Sequence, residues 1–141
     1  MEMNIFTSYH HKAEKLIEMG LTPISISAQF PPYSKIKYHQ YKVVAPRYEM
    51  LQMSLDDYDI EFQKILGGLN TVHVHSDLVK LSGGKDIVLL CFEKDPENCH
   101  RQKVAKWLEK KLQIKVKEIT FITPKKETKK DSNDERQLKI F

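Results

Sequence analysis

The order of apolar and polar positions along the chain predicts alternating strands and helices. Short apolar runs typical of strands occupy residues 4–7, 23–27, 87–91 and 114–122. Helical periodicity marks residues 10–19, 46–51, 55–66, 71–81 and 96–112. The run at 87–91 is apolar on both faces, as in a strand buried inside a parallel sheet. The pattern therefore predicts an α/β, Rossmann-like sandwich with a mostly parallel sheet, whose ligand crevice lies beyond the carboxyl ends of the strands.

The secondary structure of residues 71–81 is ambiguous in the pattern. These residues fit a strand through Val72 and Val74, or a helix through Val74, Leu78 and Leu81, and we favour the helix. The helix at 96–112 is expected to have Asp95 as its N-cap and Pro96 as its first residue.

The last 19 residues differ from the rest of the chain. Residues 123–141 hold ten charged side chains and no apolar one before Leu138. Such a stretch cannot bury enough surface to offset its ordering entropy. We therefore expect an α/β domain at 1–122, a disordered linker at 123–136 and a separate peptide at 137–141.

Composition and charge exclude several classes of protein. No run approaches the roughly 18 to 20 apolar residues of a membrane span, and the N-terminus has no export signal, so we expect a cytoplasmic protein with no membrane partner. Both cysteines are then expected to be reduced thiols. A net charge of +4 is too small for binding duplex DNA by charge alone.

The junction after the buried strand supplies the candidate catalytic residues. Glu93 follows the strand, and Cys99, His100 and Arg101 fall near the start of a helix, where backbone N–H groups attract anions and favour a thiolate. If the helix begins at residue 96, His100 and Arg101 face inward and Cys99 does not. We rank Arg101 and His100 above Cys99 as ligand contacts. In the alternative, Arg101 pairs with a carboxylate such as Glu93, and His100 and Cys99 are core residues.

The sequence predicts no metal site and no cofactor. Cys91, Cys99, His100, His73 and His75 supply sulfur and nitrogen, but their spacing fits no zinc ribbon or finger. Cys91 is moreover expected in the middle of the sheet.

Aromatic and basic residues follow the second strand. Phe30, Tyr33, Lys35, Lys37 and Tyr38 would stack on and neutralise a nucleotide or single strand, or else pack over the sheet edge. Among them we take Tyr33, together with Ser27 and Arg101, as ligand-binding candidates. His10, His11 and Tyr9 near the first helix are held in reserve.

The strand and helix LLCFEKDPENCHRQKVAKWL, preceded by PISIS, Pro31-Pro32 and VVAPRYEML, resemble domain-of-unknown-function family 488, especially its small phage and bacterial forms. The resemblance covers residues 4–119. It marks Glu93, Cys99, His100 and Arg101 as the family signature, with Ser27, Pro31 and Ala45-Pro46 as weaker matches. It implies a Rossmann-like fold and no established reaction.

The C-terminal peptide carries a second resemblance. The residues QLKIF are similar to the Gln-Leu-x-Leu-Phe peptide that docks bacterial polymerases and repair proteins on the DNA sliding clamp, with Ile140 in place of the second Leu. The resemblance implies that Gln137, Leu138, Ile140 and Phe141 contact the clamp. The linker would span about 20 Å as a flexible coil. In the alternative, these apolar side chains fold back onto the domain.

Together these features suggest a protein of DNA metabolism tethered to the sliding clamp. Its domain would bind a nucleotide or nucleic-acid phosphate at Arg101 and His100, with repair or base modification as the reaction classes considered. Two alternatives stay open: a non-enzymatic binder that competes for the clamp, and a nucleotide-metabolism enzyme with an irrelevant tail. The sequence specifies no substrate, reaction or oligomeric state.

Overall fold

A computed structural model describes residues 3–92 and 99–121, in which five parallel strands form one sheet flanked by helices. The strands are β1 (Ile5–Tyr9), β2 (Thr22–Ser25), β3 (His39–Gln40), β4 (Ile87–Cys91) and β5 (Val116–Glu118). The α-helices are α1 (Ala13–Glu18), α2 (Leu55–Gly67), α3 (Thr71–Ser82) and α4 (His100–Leu112). Short 3-10 helices occupy His10–Lys12, Lys42–Val44 and Tyr48–Gln52.

The strand order β3-β2-β4-β1-β5 brings the carboxyl ends of the central strands together. Tyr9, the last residue of β1, pairs with Cys91, the last residue of β4. Ser25, the last residue of β2, pairs with Leu90 on the other side of β4. The segments that follow β1, β2 and β4 therefore start from one edge of the sheet, which is where parallel α/β sheets place their ligand crevice.

Strand β4 explains why the sheet is buried on both faces. Ile87, Leu89 and Cys91 belong to the core formed with α2, α3 and α4. Val88 and Leu90 point to the opposite face, where they pack against Ala13 and Leu16 of α1. An unbroken apolar run is thus required at this position.

Side-chain caps and a glycine define the boundaries of the middle helices. The side chain of Ser54 accepts a hydrogen bond from the backbone N–H of Asp57 at the start of α2. Asn70 accepts one from His73 at the start of α3. Such a cap is worth about 1 kcal/mol. Gly83 follows α3 with φ of 68°, a left-handed conformation that ends a helix at little steric cost for glycine.

The α/β fold with a parallel sheet is confirmed, and so is the helix predicted over residues 71–81. The two-residue strand β3 was not predicted, because two exposed positions carry no apolar pattern. The last strand is shorter than predicted and spans Val116–Glu118; among the described residues it pairs with β1 alone.

The predicted start of α4 is wrong where it can be checked. The helix begins at His100, and Cys99 is its N-cap with an extended backbone, φ −109° and ψ 141°. Residues 95 and 96, at which the predicted helix begins, lie outside the described residues.

Other predictions also fall outside the described part of the chain. These are the candidate Glu93, the linker at 123–136 and the peptide residues Gln137, Leu138, Ile140 and Phe141. Within the described residues, no helix has the length and apolar character needed to cross a bilayer.

Candidate functional site

Two clusters of side chains flank the carboxyl edge of the sheet. The sulfur–histidine cluster consists of Cys91, Cys99 and His100 and lies where the end of β4 meets the start of α4. The aromatic cluster lies around the ends of β1 and β2 and comprises His10, His11, Phe30, Tyr33, Tyr38 and Phe92. Both follow from the parallel topology, since every strand delivers its next residue to the same edge.

The sulfur–histidine cluster brings three soft donors together. The Sγ of Cys91 lies 3.6 Å from Nδ1 and 3.5 Å from Nε2 of His100, and the Sγ of Cys99 lies 4.0 Å from Nδ1. The Nε2 of His100 makes a short hydrogen bond to the carbonyl oxygen of Ile26. One donor atom from each of the three residues lies within 4.8 Å of the others. The cluster therefore offers two sulfurs and a ring nitrogen at one point.

Cys99 points into this cluster because it precedes the helix. Sequence reasoning placed it in the first turns of a helix and turned it away from the sheet. As an extended N-cap residue it instead lies with His100 in the interior, with 4% of its surface exposed. The helical-wheel argument against Cys99 fails for this reason.

The pKa values of the two thiols are shifted in opposite directions. Burial raises the pKa of the Cys91 thiol well above its usual value, and the neighbouring Cys99 adds to this rise. Burial also opposes ionisation of Cys99, but hydrogen bonds with Cys91 and His100 and the positive charge of Arg101 outweigh it and lower the pKa of Cys99 to about 4. If one of the two sulfurs ionises, it is therefore Cys99.

Arg101 joins α4 to the edge strand β5. Its guanidinium is fully buried and makes two hydrogen bonds of 2.9 Å to the carboxylate of Glu118, through Nε and Nη2. Thr7 donates to the same carboxylate at 2.6 Å. Burial opposes the charge, but the Glu118 hydrogen bonds prevail and raise the pKa of Arg101. In one alternative from the sequence, Arg101 pairs with a carboxylate such as Glu93; the structure pairs it with Glu118, and Glu93 lies outside the described residues.

His10 is the centre of a hydrogen-bonded chain across the ends of β1 and β2. Its Nε2 lies 2.7 Å from Oγ of Ser27, and its Nδ1 lies 2.8 Å from the hydroxyl of Tyr38. Burial, with the nearby Arg101, His100 and His11 as smaller causes, lowers the pKa of His10 to about 3. Burial raises the pKa of Tyr38 to about 12. The imidazole and the phenol are thus both neutral at pH 7.

The outer part of the aromatic cluster is open to water. The rings of His11 and Tyr33 stack with their centroids 4.4 Å apart and an 8° angle between planes. Phe92 lies edge-on to Tyr33 and to His10, at 6.3 and 4.8 Å. Tyr33 is 44% exposed and Phe92 is 39% exposed. A set of flat apolar faces therefore borders the crevice.

A separate groove lies on the outer side of α4. This cavity of about 440 Å³ is formed by α2 and α4. Its lining residues are Asp59, Gln63, Gly67, Gln102, Lys103, Lys106, Trp107, Lys110 and Lys111. It contains none of the predicted site residues, and its chemistry is basic.

The predicted site residues thus divide into three groups. Cys99 and His100 meet in the buried cluster, with Arg101 behind them, and Ser27 and Tyr33 belong to the other side of the edge. Glu93 is outside the described residues. Sequence reasoning underrated Cys91 and left His10 in reserve. Both residues lie at the ends of two neighbouring parallel strands, and that position is the signal that would have ranked them higher as site candidates.

Comparison with known proteins identifies the domain. Residues 22–112 match the model of the family described as the active DUF488-N3 subclade. No curated protein and no solved structure matches the chain. The matched range includes β2, the loop with Tyr33, β4 and α4, whereas β1 and His10 precede it. The chain therefore belongs to the domain-of-unknown-function family 488, in its active DUF488-N3 subclade.

Proposed function

We propose that this protein acts in DNA metabolism by holding a nucleobase, of a nucleotide or of a single strand, against the aromatic cluster. The peptide at residues 137–141 docks the protein on the DNA sliding clamp. The observation that carries nucleobase binding is the exposed stack of His11 and Tyr33 at the carboxyl edge of a parallel sheet. Clamp docking rests on the QLKIF sequence.

Flat aromatic faces at this position suit a nucleobase. Every base presents a π-face, and stacking on an aromatic side chain is worth about 1 to 3 kcal/mol per base. His11 and Tyr33 already lie parallel, so a base that stacks on the outer face of Tyr33 continues an existing column. The edge-on packing of Phe92 limits how far the ring of Tyr33 moves.

Lysines beside the cluster supply the charge that a phosphate requires. The ammonium of Lys37 lies 5.7 Å from the ring centre of Phe30, and Lys12 directly follows the cluster residue His11 in the chain. Arg101 is a weaker choice for direct phosphate contact than the sequence suggested, since Glu118 already binds two of its guanidinium nitrogens inside the core. We assign Arg101 a positioning role, with the lysines as the groups nearest a phosphate.

The tether accounts for how a nearly neutral domain reaches DNA. The last 19 residues carry six positive and four negative charges, so the net charge of residues 1–122 is +4 less +2, or +2. That value supplies little attraction to a polyanion. A clamp-bound peptide on a flexible linker instead raises the local concentration of the domain near DNA.

An enzymatic role, in repair or base modification, is the less specified part of the proposal. The matched family is described as an active subclade, which favours a domain that carries chemistry. The His10–Ser27 pair has the distance of a base and a hydroxyl nucleophile. A histidine with its pKa lowered to about 3 is however a weak base, so His10 is better suited to orient a ligand by hydrogen bonding.

Nucleotide binding is tested by titrating the full chain with the four deoxynucleoside monophosphates and with an oligothymidylate. We expect saturable binding that the variant Tyr33→Ala weakens by about 5-fold to 150-fold, the equivalent of one lost stacking contact. Tyr48→Ala is the control, because Tyr48 is also an exposed tyrosine, at 60% against 44% for Tyr33, but lies in the 3-10 helix Tyr48–Gln52. Equal affinities for the Tyr33→Ala and Tyr48→Ala variants, or no binding by the wild type, would refute this half of the proposal.

Clamp docking is tested separately with a purified bacterial sliding clamp. Removal of residues 137–141, or Phe141→Ala, should abolish binding, because the apolar anchors are lost. Lys139→Ala changes the variable position of the peptide and should leave the affinity unaltered. A truncated chain that binds as well as the full chain would eliminate the tether without affecting the nucleotide result.

A further inference from the structure

We propose that Cys91, Cys99 and His100 form a binding site for one divalent ion of the zinc class. The spacing of these residues in the sequence argued against a metal, because eight positions separate the two cysteines. The fold removes that objection by placing the last residue of β4 beside the first residues of α4. The site goes beyond the proposed nucleotide binding and does not depend on it.

The distances within the cluster match tetrahedral coordination. A metal about 2.3 Å from sulfur and about 2.0 to 2.1 Å from nitrogen places the two donors about 3.6 Å apart at a tetrahedral angle. Nδ1 of His100 lies 3.6 Å from the sulfur of Cys91 and 4.0 Å from that of Cys99. All three donor atoms lie within 4.8 Å of one another, so an ion that binds between them would draw the Cys99 sulfur inward.

The second ring nitrogen of His100 has the partner that metal-binding histidines usually have. Nε2 hydrogen-bonds to the carbonyl oxygen of Ile26, which can only accept. The proton therefore belongs on Nε2, which leaves Nδ1, 3.6 Å from the sulfur of Cys91 and 4.0 Å from that of Cys99, as the ligating nitrogen. Such a backbone hydrogen bond fixes the tautomer and ring orientation of a ligating histidine.

The donor set and its surroundings determine the class of ion. Two sulfurs and an imidazole favour Zn²⁺ and other borderline or soft ions over Mg²⁺ and Ca²⁺, which prefer oxygen. Two thiolates would balance the charge of a divalent ion in a cluster whose members are each less than a tenth exposed. Three protein ligands are also the number found in catalytic zinc sites, where water or substrate takes the fourth position.

The same geometry has one competing explanation, in which no ion binds and Cys99 is a free thiol hydrogen-bonded to its neighbours. A free thiol of this kind, 4% exposed, reacts with alkylating agents only when the fold opens locally, and a bound metal ion slows that reaction further. Spectroscopy with a metal probe and alkylation therefore separate the two explanations.

The experiment uses the full chain, reduced and stripped of metal by a chelator, and titrated with Co²⁺ alone under anaerobic conditions. We expect one equivalent to bind with sulfur-to-cobalt charge-transfer absorption and the intense visible bands of tetrahedral cobalt. Zn²⁺ should displace it and protect both cysteines from iodoacetamide. No binding by the wild type, binding without charge transfer, or unchanged alkylation in the presence of Zn²⁺ would each overturn the proposal.

Variants locate the ligands. Cys99→Ser should reduce the charge-transfer intensity and weaken cobalt binding at least 10-fold. The matched control carries both His73→Ala and His75→Ala, and its spectrum should equal that of the wild type. These two histidines lie on α3 and outside the cluster. Loss of the cobalt spectrum in the control would overturn the proposal. Because Cys91 is buried in the central strand and its replacement can disturb folding, the wild-type spectrum is the decisive reading.

Discussion

The two clusters that flank the carboxyl edge of the sheet differ in their access to solvent. Cys91, Cys99 and His100 are 1%, 4% and 8% exposed, whereas Tyr33 and Phe92 in the aromatic cluster are 44% and 39% exposed. The first cluster is closed because α4 covers the end of β4, and the second is open because a loop covers it only in part. A buried set of donors suits a single ion, while an open set of rings suits a planar ligand.

The comparison implies different consequences of mutation on the two sides. Changes behind the buried cluster should reduce the stability of the fold. Changes in the outer aromatic cluster should reduce ligand binding and leave the fold almost unaffected.

Arg101→Met should destabilise the protein strongly, because it leaves the carboxylate of Glu118 buried without its cation. Loss of one partner from a buried ion pair costs about 3 to 5 kcal/mol, which urea unfolding would measure. Arg47→Met is the control, since Arg47 pairs with Glu49 and Glu61 at the exposed surface. We expect little change there. Equal losses of stability in the two variants would contradict the structural role of Arg101.

Replacing both members of the buried pair should recover part of the loss. In the double variant with Arg101→Met and Glu118→Gln, no charge is left unpaired in the core. Its free energy of unfolding should fall by less than the sum of the two single changes. An additive result would show that the two side chains act independently.

Stability should decrease as the pH falls below about 6.5, because His10 is buried in its neutral form. Its pKa is lowered to about 3 in the folded protein, so between pH 6.5 and 3 the unfolded chain binds the extra proton. The free energy of unfolding should fall by about 1.4 kcal/mol per pH unit from this group, or about 2 kcal/mol between pH 6.5 and 5. Urea unfolding at several pH values measures the slope.

His10→Gln removes the titrating group and keeps hydrogen-bonding atoms toward Ser27 and Tyr38. The dependence of its stability on pH should be weaker over the same range. If the wild type and this variant gave the same slope, His10 would not be the buried neutral histidine described here.

His11→Ala should change the free energy of unfolding by no more than about 0.5 kcal/mol, since the ring is exposed and contacts mainly Tyr33. Nucleotide binding should nevertheless weaken, because the stacked column loses one ring. Thermal unfolding and a nucleotide titration on the same sample check both values. A large loss of stability would show that the aromatic cluster belongs to the core rather than to a binding surface.

Much of the fold could be predicted from local pattern, and much of the site could not. The double-sided apolar run at 87–91 and the helical spacing at 71–81 each depend on neighbouring residues, and both were interpreted correctly. Arg101 pairs with Glu118, 17 positions away on an edge strand, and no local signal marks that carboxylate as its partner. Contacts made across the sheet depend on the strand order, which periodicity does not determine.

Cys99 shows that the direction of a site side chain also could not be predicted from the sequence pattern. A shift of the helix start from residue 96 to His100 changes Cys99 from a helical position to an extended N-cap. That change reverses the direction in which the side chain points. Boundaries of elements are the least determined feature of a hydrophobic pattern, and this site lies on a boundary.

The most direct test of the account is to locate a bound nucleotide on the domain. Intermolecular nuclear Overhauser effects between the base protons of a saturating deoxynucleotide and the protein would identify the contacting rings. We expect contacts to the rings of His11 and Tyr33 at the carboxyl edge of the sheet. Contacts instead to Trp107 in the lysine-lined groove between α2 and α4 would contradict it.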